Sequence, residues 1–509
     1  MYIPTLDDGV VWLTAAVLVT GLLARQFRTQ LNDVFSYLIH YYLVWRFPIK
    51  AVQDGRSMST CPYRWPNGQG NVGKFLEGEG NSEKWGTRYG RVYRLWSGFT
   101  GEVVIRDPMD VKTVLKDSDK HTKAVNNNSG WLMGELLGRC LGLISGTRYQ
   151  KLRAATSSPW TQQRAPTYLG RISALTKEHF ERLSAGERLR KGLINPVADL
   201  RSLPFYIVAD VIYGELSPAL KRELESLAEL RESLWQKMIQ GGSARHSWGQ
   251  YLPTKTTKDL AEFKRRWMEF NEEAYKASLL ANNNAAIRAM HGALDSGEIA
   301  REELYQTVDE MLFANLDVTI GGVSWNLLFL GANRDVQRDI RREIQEARKS
   351  GSESDWDRYL QRSDTLLAAS IVESSRLKPL AAFSVPQSAP TDRIVSGYVV
   401  PAGTNFVVDT HALNIKNEYW GPDGETYRPS RFLEMKSTDM RYKFWRFGFG
   451  PRQCLGRFVV DLILRVLIAH LVGNYGLSLA EDTHWEKNPT SWIYHPDTQV
   501  CCEKLGTRE

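Results

Sequence analysis

Cysteine is scarce in this chain of 509 residues: Cys61, Cys140, Cys454, Cys501 and Cys502 are the whole set. An odd, unevenly spaced group argues against a disulfide framework and for a reducing compartment. No His or second Cys stands near Cys454 at the spacing of a tetrahedral zinc site. Charge of one sign is also nearly missing as a surplus, with a net charge of only +7. That is too mild for a nucleic-acid footprint, and it suits an anionic membrane surface or an acidic protein partner equally well. There is no internal repeat, and no low-complexity tract beyond Asn126 to Asn128. With 42% hydrophobic and 24% charged residues, disorder and collagen-like architecture are excluded. Long hydrophobic runs are few. Val10 to Ala24 is uncharged but short of the ~20 residues that span a bilayer comfortably.

What is present begins with that run. It follows Asp7 and Asp8 and precedes Arg25 and Arg28, so the positive-inside rule leaves the bulk of the protein in the cytosol. A cleaved signal peptide wants basic residues before its apolar core, and none stands there. Residues 1–33 therefore read as a single amino-terminal membrane anchor of marginal span. Val34 to Phe47, rich in aromatics, reads as an interfacial helix, or else as a buried core helix. Residues 34–80 as a whole read as this membrane-proximal helix followed by a linker, because Pro48 to Gly80 is rich in Gly, Pro, Asn and Ser. Asn127-Asn128-Ser129 is a glycosylation sequon that cytosolic topology leaves unused.

At roughly 150 residues per domain the length alone predicts about three domains. Val92 to Trp96 and Glu102 to Ile105 are β-prone runs around a turn, a hairpin. Asp107-Pro108 ends the second, and helical spacing follows at Val111, Val114 and Leu115. Leu169 to Arg348 is mostly helical, with loops near Gln240 to Ser247 and Asn282 to Asn284, and Arg393 to Asp409 returns to strands. The longest helix runs from about Glu303 to Leu330 and is apolar nearly all round in its middle, which predicts burial through the centre of the protein. Asp317 inside that helix needs a partner or a task, because an unpaired buried carboxylate is expensive.

Phe444 to Phe458 reads FWRFGFGPRQCLGRF. A Cys in a Gly-rich loop just before a helix, with Arg446, Arg452 and Arg457 nearby, is expected to be held as thiolate. Phe447 to Gly456 resembles the FxxGxxxCxG haem-ligand signature of the cytochrome P450 family without a mismatch. Glu373-Ser374-Ser375-Arg376 resembles the family's ExxR, Pro429-Ser430-Arg431-Phe432 its PxRF, and Gly146, Tyr149 and Arg153 its GxxWxxxR, with Tyr149 where Trp or His is usual. The resemblance covers roughly Trp85 to the carboxyl end.

The resemblance implies a mainly α fold with small β-sheets (α+β), the cytochrome P450 fold, preceded by an N-terminal membrane-anchor helix. Residues 81–509 would be the haem-thiolate catalytic domain, so the three-domain arithmetic gives way to one large fold. The implied cofactor is heme b, its iron held by the Cys454 thiolate. Arg452, Arg153, Tyr149, Phe447, Gly448 and Gly456 would cradle it, and Glu373, Arg376 and Arg431 would form a buried charge triad beneath. Where the family's oxygen-binding helix reads [A/G]Gx[D/E]T[T/S], this chain has Ala314-Asn315-Leu316-Asp317-Val318-Thr319. Asp317 keeps the acid, Val318 replaces the hydroxyl residue, and Thr319 lies about 100° further round. Asp317, Asn315 and Thr319 are the catalytic candidates. The substrate pocket would be lined by Trp131, Phe313, Ala314, Val318, Leu380, Phe383, Val385 and Trp492, an apolar set suited to a lipophilic aromatic molecule.

The chain as a whole resembles fungal enzymes that tailor secondary metabolites, some acting on cyclic dipeptides. The expected reaction is monooxygenation: hydroxylation, epoxidation or oxidative coupling. The alternatives are a dioxygen-independent haem-thiolate isomerase or dehydratase, or a non-catalytic haem-binding protein. Expected partners are NADPH-cytochrome P450 reductase, docking near Arg446, Arg452 and Arg457, a lipophilic small molecule and a membrane, with no nucleic acid. The expected location is the endoplasmic reticulum membrane with the catalytic domain in the cytosol.

Overall fold

The computed structural model describes residues 12–13, 26–436 and 438–506. Most of the Val10–Ala24 run lies outside the described residues. The first long helix, α1 (Arg28–Arg46), buries only Leu43 and leaves Tyr37, Tyr41, Tyr42 and Trp45 exposed. It is not a core helix. The stretch after it is irregular but is no free linker. Met58, Cys61, Tyr63, Asn71 and Lys74 are all buried, and the Lys74 ammonium meets Glu102 at 2.8 Å with both side chains sealed from solvent.

The hairpin expected near residue 100 is present as β1 (Val92–Ser97) and β2 (Thr100–Ile105), antiparallel with Val92 opposite Ile105. Asp107 then caps the next turn by accepting from the Met109 N–H, and Pro108 follows at the position where its missing N–H costs nothing. Three further strands, β3 (Thr122–Lys123), β4 (Gln387–Ser388) and β5 (Asn405–Val408), complete a five-stranded sheet in the order β1-β2-β5-β4-β3. The β2–β5 pair is parallel, with Glu102 opposite Asn405, and the other pairs are antiparallel. Two small three-stranded sheets lie elsewhere.

The remainder is helical. The helices that matter for the site are α2 (Gly146–Thr156), α3 (Ser202–Tyr213), α4 (Pro218–Gln240), α5 (Lys255–Leu280), α6 (Arg301–Ala332), α7 (Leu366–Leu377) and α8 (Arg457–Asn474). Local chemistry starts them: Ser217 caps α4 ahead of Pro218, Thr254 and Thr257 cap α5 reciprocally, and Thr365 caps α7. The expected central helix is α6, 32 residues and so about 48 Å long, with α3, α7 and α8 packed against it. Among the described residues it is the one helix long and apolar enough to cross a membrane. Most of it is packed inside the protein, so its apolar surface belongs to the core. The largest apolar cluster joins side chains from Leu132 to Cys502 around it, which replaces three domains with one body.

Candidate functional site

A helix buried on every side has no reason to expose its middle. Yet α6 is half-buried at Glu310, Met311 and from Ala314 to Val318, between fully buried turns on either side. These positions border an internal cleft. Cys454 is an exposed residue, although burial is the leading influence on its acidity and pushes the thiol up. Both statements hold together only for a group facing a cleft walled in by protein.

The loop that delivers Cys454 is shaped by two glycines in the left-handed region, Gly448 and Gly450. At Gly450 the left-handed backbone strains any other residue, and a Cβ would also displace the Ser118 hydroxyl, 2.2 Å away. The Cys454 N–H returns to the Phe447 carbonyl at 2.9 Å, and Gln453 donates to the Gly448 carbonyl at 3.0 Å. The sulfur accepts the Gly456 N–H, where α8 begins, and Arg457 donates to the Cys454 carbonyl at 3.1 Å. The expectation of a thiolate held by the loop alone is corrected here. Gly456 and Arg457 lower the pKa, but burial outweighs them, because Arg446 is spent on Asp461 at 2.7 Å and Arg452 turns inward. With burial dominant and no counter-charge at the sulfur, the neutral thiol is favoured.

Beneath the loop, Glu373 on α7 receives Arg376 through two bonds of 2.7 and 2.9 Å, and Arg431 approaches it at 3.5 Å. Arg376 spends its remaining donors on the carbonyls of Asn414 and Gly424. Arg431 spends its own on the carbonyls of Trp420 and Asp423.

At the edge of the cleft, Arg452 donates to the Ile144 carbonyl at 2.6 Å and lies over the Tyr149 ring at 3.9 Å. Tyr149 donates to the Pro451 carbonyl and accepts from Arg153 at 2.7 Å. Sequence reasoning missed Lys123, which β3 aims into the same space; burial, aided by Arg452, pushes its pKa down to about 8. Neither Lys123 nor Arg452 has a carboxylate within ion-pair distance among the described residues. Nearby His121 is buried with both ring nitrogens lacking a hydrogen bond, its closest acid being Asp117 at 3.7 Å. Two desolvated cations at one edge and an open thiol at the centre fit a flat acidic metallo-ligand. Haem is such a group: Cys454 would take the iron, while Lys123, Arg452 and Arg153 would take the propionates.

On the opposite wall, Asp317 is paired. Arg201, just before α3, reaches its Oδ1 at 2.9 Å and Glu232 of α4 at 2.9 Å, and the Trp492 indole donates to Oδ2 at 3.3 Å. Thr319 is buried and donates to the Asn315 side-chain oxygen at 2.8 Å, while Asn315 donates to the Met311 carbonyl at 2.6 Å. The helix stays regular here, so Val318 faces the cleft and the Thr319 hydroxyl does not take its place.

Two of the pocket candidates are packed among other aromatic rings. Phe313 is 8% exposed and packs among Phe205, Phe263 and Trp267. Phe383 is 1% exposed and packs against Trp85, in a cluster with Cys61 and Tyr93. Trp131, Ala314, Val318, Leu380 and Trp492 are half-buried, and Val385 is open. Trp131 is tied down by donating to the Ser243 carbonyl at 2.6 Å. Arg201, Glu232 and Lys123 left no contiguous signal, since each reaches the site from a different element.

Known proteins resemble this chain over most of its length. The family model described as Cytochrome P450 matches residues 70–501. The chain is 52% identical over 466 residues to the cytochrome P450 monooxygenase aclC of Aspergillus oryzae, covering 91% of this chain and 95% of that one. It is 44% identical to asaD of Aspergillus flavus (97% and 95% covered) and 38% identical to gliC of Aspergillus fumigatus (94% and 95%), both likewise named cytochrome P450 monooxygenases. A solved zebra fish cytochrome P450 with progesterone superposes with a TM-score of 0.67 at 18% identity, over 84% of this chain and 99% of that one, a likeness of fold.

Proposed function

The chain belongs to the cytochrome P450 family, and from that premise we propose that it is a haem-thiolate monooxygenase oxidising a lipophilic aromatic secondary metabolite of cyclic-dipeptide type. The observation that carries the reading is the Cys454 sulfur, open to an internal cleft, with the Gly456 N–H behind it and Lys123 and Arg452 at the rim. The bound haem supplies dioxygen activation with electrons from NADPH. The protein supplies position, charge and protons. Cys454 would hold the iron, and the Gly456 N–H bonded to its sulfur would temper the electron density that the thiolate gives. Ala314, Val318, Leu380 and Trp492 exclude water and receive the hydrocarbon part of the substrate.

Asp317 is the acid that hands protons to the cleft. Its Oδ1 is held by Arg201 and its Oδ2 by Trp492, so passing a proton requires it to exchange one of these contacts. Glu232, at the outer end of the same network, is its link to solvent. Val318 removes the usual hydroxyl from the relay, and ordered water with Asp317 and Asn315 takes its place.

The reductase docks beside the Cys loop. Arg446, Arg452 and Arg153 are committed to internal partners, so Lys151 and Arg457 are the cations that face it. The amino-terminal run anchors the protein in the endoplasmic reticulum membrane, with the exposed aromatic face of α1 lying at the lipid interface.

The test is the carbon monoxide difference spectrum of the reduced full-length protein. A thiolate-type band is expected, and Cys454→Ser abolishes it; retention of that band in the variant overturns the assignment. NADPH- and dioxygen-dependent product formation with added reductase then separates monooxygenation from haem binding without turnover.

A further inference from the structure

Asp317 is not the only carboxylate that α6 presents to the cleft. Glu310 lies seven residues earlier, about two turns, and therefore on the same face as Ala314, Asp317 and Val318. It is half-buried where 303–309 are fully buried, so its open side looks into the cleft. Its Oε2 accepts the Gly142 N–H at 2.9 Å, and the Cys140 thiol is its second donor. A Cβ on Gly142 would come within 1.8 Å of Oε1, so only glycine lets the carboxylate rest on this loop.

The 140–144 loop divides the local charges. Its carbonyls at Leu141 and Ile144 take the Arg452 guanidinium, and its N–H at Gly142 takes Glu310. Lys123 and Arg452 act on Glu310 from longer range, and it forms no ion pair among the described residues. An ionised carboxylate has room for about four donors, and here it has one amide and one weak thiol. Burial accordingly pushes its carboxyl up. Once acidic groups of a bound cofactor occupy Lys123 and Arg452, Glu310 is left without a counter-ion among the described residues.

The geometry points to Glu310 as the residue that selects substrates carrying a basic nitrogen, receiving a protonated amine N–H while Ala314, Val318 and Leu380 receive the apolar part. This rests on the reading of the Cys454 cleft as the substrate chamber. A specificity of this kind is separable from catalysis, because Glu310 stands two helical turns from Asp317.

The test uses full-length holoenzyme and calorimetric titration, without turnover. The probes are 1-(3-phenylpropyl)piperidine, protonated at neutral pH, and (3-phenylpropyl)cyclohexane, its neutral carbon isostere. Glu310→Gln is expected to weaken the amine about 10-fold or more, the range of a hydrogen bond to a charged group, and to leave the isostere within about twofold. Glu310→Asp is expected to keep part of the preference. Equal weakening of both probes assigns Glu310 to loop support and overturns the proposal, as does amine binding that is indifferent to the substitution. If neither variant folds, the unaltered protein still decides. Methylating the piperidine nitrogen removes its N–H and must weaken binding at least about threefold; equal affinity overturns the proposal. The carbon monoxide spectrum of each sample reports separately on the haem-thiolate reading.

Discussion

Two carboxylate–guanidinium networks flank the cleft, and they are built to opposite ends. Below it, Glu373 and Arg376 are 0% exposed, and the donors of Arg376 are divided between Glu373 and two carbonyls. Beyond it, Arg201 and Glu232 keep 29% and 40% of their side chains exposed, and Asp317 keeps 15%. The Glu373–Arg376 pair at the heart of the first network is sealed from water, and solvent reaches only its outer edge, where Arg431 also meets Asp423. It fixes the geometry of the Cys loop. The second grades from solvent to cleft and can trade partners, which is what a proton route requires. The same residue types thus hold a shape in one place and transmit charge in the other, and burial makes the difference.

The comparison breaks first, and hardest, on the closed side. Arg376→Ala leaves Glu373 charged and buried, a loss of about 3–5 kcal/mol. The expected outcome is a protein that unfolds at markedly lower denaturant and no longer loads haem, read by denaturant titration and absorbance. A variant as stable as the parent would make the two networks equivalent. On the open side, Asp317→Ala is expected to lower turnover about 100-fold or more while leaving haem content and the carbon monoxide spectrum unchanged. Unaltered turnover would take Asp317 out of the proton route.

A smaller effect concerns the rim. Lys123 sits near 8 in the haem-free protein, below its ordinary value, because burial disfavours its charge. A propionate partner restores that charge, so haem affinity is full below about pH 8 and falls as pH rises through that value. Titrating haem into the haem-free protein between pH 7 and 9 should show this slope, and Lys123→Met should flatten it. For folding the sign is opposite. The unfolded chain binds the Lys123 proton up to its ordinary pKa, so this group's contribution to haem-free stability improves as pH rises above about 8. The smallest expected change is Val318→Thr, which returns a hydroxyl to the open wall. It should raise product formed per NADPH consumed by about twofold with little change in stability, since Val318 is only half-buried and a helical threonine hydroxyl can donate to the carbonyl four residues back.

The closed side was also the legible side. Glu373 and Arg376 lie within one helical turn, Arg431 within a short motif, and Cys454 amid its own glycines, so a contiguous pattern named each of them. The open side was legible only in part. Asp317 stood out as an acid in an apolar helix, but its partners come from the segment before α3, from α4 and from the turn at Trp492, and no spacing along the chain joins them. The packing of Phe313 among Phe205, Phe263 and Trp267 had no signal either, because α6 is apolar around much of its circumference and periodicity there marks no face. Glu310 did have a signal, its seven-residue offset from Asp317, which takes meaning only once the cleft is known to run that far along the helix.

By itself, then, the amino-acid sequence determined the helical body, the hairpin, the Cys454 loop and the family, because these rest on local dihedral preference, capping and contiguous motifs. Tertiary structure alone decided which face of α6 meets the cleft, that Lys123 and Arg452 share its rim without a carboxylate partner among the described residues, and that Asp317 is paired there while Glu310 is not. Those properties depend on desolvation and on distances between residues more than 100 positions apart, and neither is a property of sequence neighbours.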